Sequence, residues 1–161
     1  MTTLAHWIEN ETTTSEYRLI DALRHPDATT VLRFWARRPP DGLMIGRDIP
    51  SRSIAKLLSH VAIYAPFSNG NDAKVHLAGS ALRRRFGRDI TGLLMSDIFV
   101  PDDFRVRFAA LKDVIRTGEP RLAEIVHRVG DIEILRLELL AIPVTAPNGV
   151  DRWAATFAFY L

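Results

Sequence analysis

Two of the five histidines are the residues of this chain that could most readily take part in chemistry. His76 and His127 lie in short alternating segments that predict strands, so either imidazole could face an interior pocket. A metal site needs three or four converging ligands, and the spacing of His6, His25 and His60 does not supply such a set. Because Val75 and Leu77 flank His76, we expect these two apolar residues to point inward, and the pattern favours ordinary structural roles for His76 and His127.

The only basic cluster lies on a short predicted helix and comprises Arg83, Arg84, Arg85 and Arg88. At the mouth of a pocket, Arg84 could hold a carboxylate or phosphate through the two donors of its planar guanidinium. A solvated helix face with partners such as Asp89 explains the same residues, and we favour that interpretation. The cluster is short and has no interleaved aromatic residues, so it does not predict a nucleic-acid site.

A set of large apolar side chains could line a cavity. Its members are Phe86, Met95, Ile98, Phe104, Phe108, Leu111, Leu137 and Leu139. Phe104, Phe108 and Leu111 follow one another at helical spacing, which also predicts an ordinary packed core. A bound small molecule is therefore a hypothesis at this point, and no cofactor can be identified.

The composition is that of one ordinary domain. The chain has 161 residues, 47% of them hydrophobic, and a formal charge of +2, which does not indicate a nucleic-acid partner. It has no cysteine, which excludes disulfides, thiolate metal sites and a cysteine nucleophile. No segment has the pattern of a signal peptide or the length of a membrane span, so we expect a cytoplasmic protein that does not contact a membrane.

Periodicity predicts the elements that must position these residues. We leave residues 1–14 as a flexible segment and expect helices at 15–24 and 27–38, the second capped by Asp27, and a short helix from Pro50. Two strands follow at 60–66 and 73–79 and are joined by a polar turn. After a region of short helical turns, Pro101 and Gly118 bound the clearest helix. Three further strands are predicted at 122–129, 132–144 and 152–161.

The economical arrangement is an α+β domain with a five-stranded antiparallel sheet and helices on one face. Arg136 and Glu138 alternate with leucines in the longest strand, which is typical of a sheet with one deeply buried face. We therefore divide the chain into the segment 1–14, an N-terminal helical extension at 15–59, and the sheet domain at 60–161. Val31, Phe34 and Trp35, with Trp7, are expected to pack on the sheet or on a second subunit.

Specific segments resemble a family of small single-domain PAS proteins from alphaproteobacteria. The most specific is FGRDITG, after a strand that ends in LAGS. Supporting segments are VLRFWARR, RDIPSRSIAKLLSHVAIYA and FRVRFAALKDVIRTGEP, and the resemblance covers about residues 19–161. It implies a sensory domain whose sheet and helices enclose a pocket for haem, flavin, a metabolite or nothing, and which commonly forms dimers.

The resemblance also limits the chemistry. PAS photochemistry on flavin or on the photoactive yellow protein chromophore requires a cysteine, which is absent. Haem-binding members carry a histidine on or beside the long helix, where this chain has none, so His76 or His127 would have to replace it. We predict a stand-alone, non-enzymatic sensory module that forms a homodimer through its N-terminal helices and signals to a partner protein.

Two alternatives stay open. One is an interaction module with a filled core and no ligand, which the presence or absence of a cavity would distinguish. The other is an isomerase-type enzyme with a cone-shaped sheet, which would need a buried carboxylate base in the cavity. The order of the predicted elements counts against the enzyme.

Overall fold

The computed structural model describes residues 13–161, which form one antiparallel sheet with helices on both of its faces. The strands are β1 (Thr13–Leu19), β2 (Val61–Pro66), β3 (Ala73–Ala78), β4 (Arg121–Val129), β5 (Ile132–Thr145) and β6 (Arg152–Tyr160). The helices are α1 (Pro26–Ala36), α2 (Ser80–Phe86), α3 (Met95–Ile98) and α4 (Pro101–Thr117), with a 3₁₀ segment at Arg52–His60. The α+β class is confirmed, as are β2 to β6 and the long helix.

The sheet has six strands, in the order β1-β4-β5-β6-β2-β3, so the prediction of five was wrong. The additional strand is β1, which lies where a helix was predicted at 15–24. Its residues pair in unbroken register with β4, from Thr13 opposite Val129 to Leu19 opposite Ala123. The free edge of β4 supplies backbone partners that outweigh the weak helical pattern of this segment. The predicted flexible segment 1–14 otherwise lies outside the described residues, as does Trp7.

Helices cover both faces of the sheet, which corrects the expected single helical layer. The face covered by α2, α3 and α4 is called the α4 face, and the face covered by α1 and the 3₁₀ segment is called the α1 face. In β5, Leu139 and Ala141 face one layer while Leu140 and Ile142 face the other, and all four are buried. A strand that is apolar on both sides requires cover on both sides.

The long helix α4 begins and ends where the sequence predicted. Pro101 occupies the first turn, and Gly118 closes the helix in the left-handed conformation at φ 71°. Its buried residues Phe108, Leu111 and Val114 lie against the sheet. None of the helices within residues 13–161 combines the length and apolarity needed to cross a bilayer.

Helix α1 packs its apolar stripe on the sheet of its own chain. Ala28, Val31 and Trp35 are buried there, so the expected packing of this stripe on the sheet is confirmed. The residue before the helix, His25, accepts a hydrogen bond from the Asp27 backbone N–H through Nδ1, at 3.1 Å. The cap is therefore His25, and the predicted cap Asp27 lies in the first helical turn.

A buried carboxylate fixes the chain between β1 and α1. Glu138 is fully buried, although the alternation of β5 predicted an exposed position, because the α1 layer covers this row of the sheet. Its carboxylate accepts the backbone N–H groups of Arg24, at 3.0 Å, and His25, at 2.8 Å. Beside it, the buried Glu124 pairs with Arg18, Arg24 and Arg136. The segment that covers this row of the sheet thus supplies hydrogen-bond partners for the buried carboxylate oxygens.

We predict that replacing Glu138 with Ala lowers the free energy of unfolding by about 2–5 kcal/mol, because the Arg24 and His25 N–H groups lose their acceptor inside the protein. Glu138→Gln keeps the size and one acceptor oxygen, so its loss should be smaller. Urea unfolding measures both variants. The control is Glu133→Ala on the same strand, which removes an exposed ion pair and should cost less than about 1 kcal/mol. Equal losses in all three variants would contradict the proposed role of Glu138.

Candidate functional site

Within residues 13–161, a small and partly open space lies between α4 and the sheet. Its volume is about 30 Å³, enough for about one water molecule. We call it the inner cavity, and its lining residues are Tyr17, Tyr64, Met95, Phe99, Arg107, Ala110, Leu111, Leu139, Ala141 and Thr156. This is the position at which the PAS resemblance implies a ligand pocket.

Three of the predicted site residues line the inner cavity, namely Met95, Leu111 and Leu139. Others fill the layer around it. Ile98 and Phe108 are buried in the core between the helices and the sheet. Phe104 stacks on Phe108 with ring centroids 5.1 Å apart, and Phe86 meets Phe99 edge-on at 5.9 Å. Six of the eight members of the apolar set thus lie in or against one core cluster, and Leu137 and Leu139 belong to a second one.

Leu137 and His127 belong to the same face of the sheet but lie towards β1. Leu137 is opposite Ile125 in the register of β4 and β5, in a small apolar cluster that Tyr17 also contacts. His127 is only 3% exposed, and its Nδ1 lies 2.7 Å from Ser15 Oγ on β1. The pKa of His127 is lowered to about 4, mainly by burial and secondly by the nearby positive charge of Arg107. This imidazole is therefore neutral near pH 7.

His76 lies away from the inner cavity. It is exposed and packs on Trp153, with ring centroids 4.9 Å apart. The register between β2 and β3 shifts here, because Tyr64 pairs with Val75 and Ile63 with Leu77. This β-bulge leaves His76 as the extra residue and reverses the alternation after it. Val75 is buried on the α4 face as predicted, whereas Leu77 is 44% exposed, so the prediction of a paired inward Val75 and Leu77 was wrong.

The arginine cluster does not reach the inner cavity. Arg84 is exposed on α2. Arg83 pairs with Asp89 at 3.0 Å, the partner that the sequence suggested, and both side chains are largely solvent-exposed. Arg85 extends to the carbonyl oxygen of Ala158, at 3.4 Å. This arrangement is that of a solvated helix face.

The polar residues of the inner cavity were not found from the sequence. The side chain of Arg107 is only 12% exposed, its guanidinium lies over the Phe99 ring at 4.4 Å, and Asp103 is 3.1 Å from its Nε. The Nε–H nevertheless makes no hydrogen bond. Burial raises the pKa of Tyr64 to about 12, so this phenol stays protonated. The signal that could have revealed Arg107 is the i, i+4 spacing of Asp103 and Arg107 beside the phenylalanine stripe.

A larger space opens at the end of the sheet where α1 stops. Its volume is about 270 Å³, and no pattern in the sequence indicated it. We call it the arginine cleft, and the lining residues that matter below are Trp35, Arg38, Asp41, Gly118, Thr145 and Arg152. Within residues 13–161, no group of three His, Asp or Glu side chains could hold a metal ion.

Comparisons with protein-family models, with curated proteins and with solved structures gave no significant match. The likeness to PAS domains therefore rests on the sequence segments and on the order of the elements. Any function has to be argued from the geometry of the inner cavity and of the surfaces around the sheet.

We predict that the protein loses stability as the pH falls from 6.5 towards 4. The folded-state pKa of His127 lies below its ordinary value of 6.5, so the unfolded chain binds the proton more readily throughout this range. The contribution of His127 is fully present above pH 6.5 and should decrease by roughly 1–2 kcal/mol by pH 5. Urea unfolding at several pH values, for wild type and His127→Gln, measures it.

The variant should show a smaller decrease between pH 6.5 and 5, and His60, whose pKa burial also lowers, accounts for part of what remains. Ser15→Ala serves as the control, because it removes the hydrogen bond to His127 but leaves the imidazole buried. Its stability should shift at every pH while the slope stays that of wild type. Identical slopes in wild type and His127→Gln would show that His127 is not the titrating group.

Proposed function

We propose that this chain is a PAS-type regulatory module that acts through contacts with other proteins and has a filled core in place of a ligand pocket. The sequence resemblance and the α+β arrangement around one antiparallel sheet support the assignment to this class. The filled core distinguishes this proposal from that of a sensor with an internal cofactor. The evidence for a filled core is one observation, the size of the inner cavity.

The inner cavity measures about 30 Å³, whereas pockets for small molecules measure roughly 300–1,000 Å³. Tyr64 and Leu111 are 4% and 2% exposed, and with Leu139 they occupy the centre of the region between α4 and the sheet. A haem or flavin would have to displace several of these side chains. Such tight packing favours an interaction module over a cofactor-binding sensor.

A sensor for a very small polar molecule is the second candidate, and the polar lining of the inner cavity favours it. Arg107 has a buried N–H without an acceptor, and Tyr17, Tyr64 and Thr156 line the same space. A water molecule fits both the volume and these donors. A larger guest would require α4 to move away from the sheet.

The isomerase-type alternative receives no support from the buried carboxylates of the described residues. Glu124 and Glu138 lie on the row of the sheet that the segment around Arg24 covers, where both are fully engaged. Asp72 accepts hydrogen bonds from Ala73 and Ser96 in the turn after β2. None of the three lines the inner cavity, where such an enzyme would need its base.

Homodimer formation remains part of the proposal, but its geometry has to differ from the expected one. The apolar stripe of α1 is buried on the sheet of its own chain, so it is not free to pack on a second subunit. The outer edge of β3 is partly occupied, because the Val75 N–H donates to the Leu93 carbonyl oxygen and the Gly92 N–H donates to the Val75 carbonyl oxygen. Within residues 13–161, no further strand pairs with the outer edge of β1. Such edges are the surfaces at which sheets most readily add a further strand from a partner.

We predict that Leu111→Ala lowers the free energy of unfolding by about 2–5 kcal/mol, because a filled core cannot collapse around the deleted atoms without cost. The matched control is Val106→Ala on the same helix, whose side chain is 38% exposed and should change stability by about 0.5 kcal/mol or less. Urea unfolding compares the two variants. A loss below about 1 kcal/mol for Leu111→Ala would mean that the region is roomy and would favour the sensor.

We also predict that the purified protein carries no internal small molecule. Native and denaturing mass spectra should give the same mass per chain, in single or dimeric form, and the absorption spectrum should show only the aromatic band near 280 nm. A molecule of metabolite or cofactor size that leaves only on unfolding, and that an Arg38→Gln variant of the arginine cleft still retains, would overturn the filled-core proposal and establish a ligand-binding sensor.

A further inference from the structure

The arginine cleft lies where the two helical layers meet at one end of the sheet. Trp35 and Arg38 come from the end of α1, Gly118 from the end of α4, and Thr145 and Arg152 from β5 and β6. The cleft is open to solvent along one side and encloses about 270 Å³, close to the lower limit of about 300 Å³ for small-molecule sites. It is thus nine times larger than the inner cavity and is independent of it.

The charge of the arginine cleft is positive. Among the described residues, neither Arg38 nor Arg152 has a carboxylate within ion-pair distance. The one acidic residue of the cleft, Asp41, pairs with Arg47, whose two terminal nitrogens each lie 2.8 Å from its oxygens and which also pairs with Asp48. The cleft thus holds two guanidinium groups and one carboxylate, and neither guanidinium is paired with a carboxylate of the described residues.

Both guanidinium groups are held in place by the protein. Arg38 lies over the Trp35 ring at 3.7 Å from the ring centre and donates through one terminal nitrogen to the Trp35 carbonyl oxygen. Arg152 donates through one terminal nitrogen to the Ile115 carbonyl oxygen at 2.8 Å. A side-chain carbon at Gly118 would come within 3.0 Å of the Arg152 guanidinium, so this glycine leaves room for it. Each arginine keeps further N–H donors for a ligand.

Trp35 provides a further donor without a partner. Its indole Nε1 is buried and has no hydrogen-bond acceptor among the described residues. A buried donor of this kind is uncommon in folded proteins and indicates a water molecule or a ligand that is not part of the chain. Trp35 lines the arginine cleft, so the residue that carries this unpaired donor is also part of the cleft wall.

We propose that the arginine cleft binds a small molecule that carries a carboxylate or a phosphate group, held by Arg38 and Arg152. The planar guanidinium matches either oxyanion with two parallel hydrogen bonds, and the fixed positions of both arginines reduce the entropy lost on binding. The volume suits a di- or tricarboxylate or a small phosphorylated molecule. Because its walls come from α1, α4, β5 and β6, the bound ligand would hold the two helical layers together.

The test uses citrate and pyrophosphate as probes at low ionic strength, with glycerol as the uncharged control. Isothermal titration gives the affinity, and the indole N–H signals in a ¹⁵N-labelled sample show the location. We expect saturable one-to-one binding of at least one probe, a shift of the Trp35 indole signal with little change at Trp153, and no effect of glycerol. Tighter binding of citrate would assign a carboxylate ligand, and tighter binding of pyrophosphate a phosphorylated one.

Arg38→Gln and Arg152→Gln should each weaken binding at least tenfold. Arg37→Gln is the matched control, because Arg37 is exposed beside Arg38, carries the same charge and does not line the cleft. It should bind as wild type does. Thermal unfolding confirms that each variant is folded, and the Trp35 signal tests the wild-type protein without any substitution.

Absence of saturable binding by both probes, or an equal loss in all three variants, would overturn the proposal. Binding of a glutamate-rich peptide without binding of either small anion would also overturn it and would indicate a protein partner. None of these outcomes depends on whether the inner cavity is filled, so the proposed function and this site are tested separately.

Discussion

The burial of both faces of β5 is the constraint on which the rest of the structure depends. From Leu137 to Val144 every residue of this strand is buried, and the apolar side chains point alternately to the α4 layer and to the α1 layer. Exposure of either face would leave several large aliphatic groups in water, each worth about 1.5–3 kcal/mol when fully buried. Both helical layers therefore cover apolar faces of the sheet, and α1 packs into the same core cluster as β5 and β6.

One carboxylate interrupts this apolar strand and determines how the N-terminal segment is attached. Glu138 stands in a cross-strand row with Arg18, Glu124 and Phe159, on the side that the chain around Arg24 covers. The carboxylate is satisfied by backbone N–H groups of Arg24 and His25, and the His25 ring stacks on Phe159 at 5.0 Å. An isolated charge at this depth would be costly, so burial of Glu138 and docking of the segment before α1 depend on each other.

The inner cavity and the arginine cleft, both lined by residues of the range 13–161, follow from the same two-layer design. Below α4, aromatic and aliphatic side chains interdigitate and leave room for about one water molecule. At the end of the sheet, residues at the ends of α1 and α4 line one cleft together with residues of β5 and β6. The space beneath α4 is thus nearly filled, whereas the junction between the layers leaves about 270 Å³ beside Arg38 and Arg152. The proposed binding site lies at that junction.

The sequence by itself determined the elements whose signals are local. Period-two patterns located β2 to β6, and Pro101 and Gly118 bounded α4, because backbone geometry at these residues depends on their immediate neighbours. Six members of the predicted apolar set, from Phe86 to Leu111, lie in or against one core cluster, and Leu137 and Leu139 lie in another, because helical and strand periods select the residues that face a core.

Only the tertiary structure decided that residues 13–19 form a strand and that α1 covers one face of the sheet. It also decided that a bulge lies at His76 and which residues line the inner cavity and the arginine cleft. The ion pair between Arg18 and Glu124 joins positions 106 apart in the chain, and the arginine cleft unites residues from four separate segments. A strand edge or an uncovered sheet face interacts with residues that are distant in the chain. The local sequence near residue 15 or residue 38 therefore does not predict these contacts.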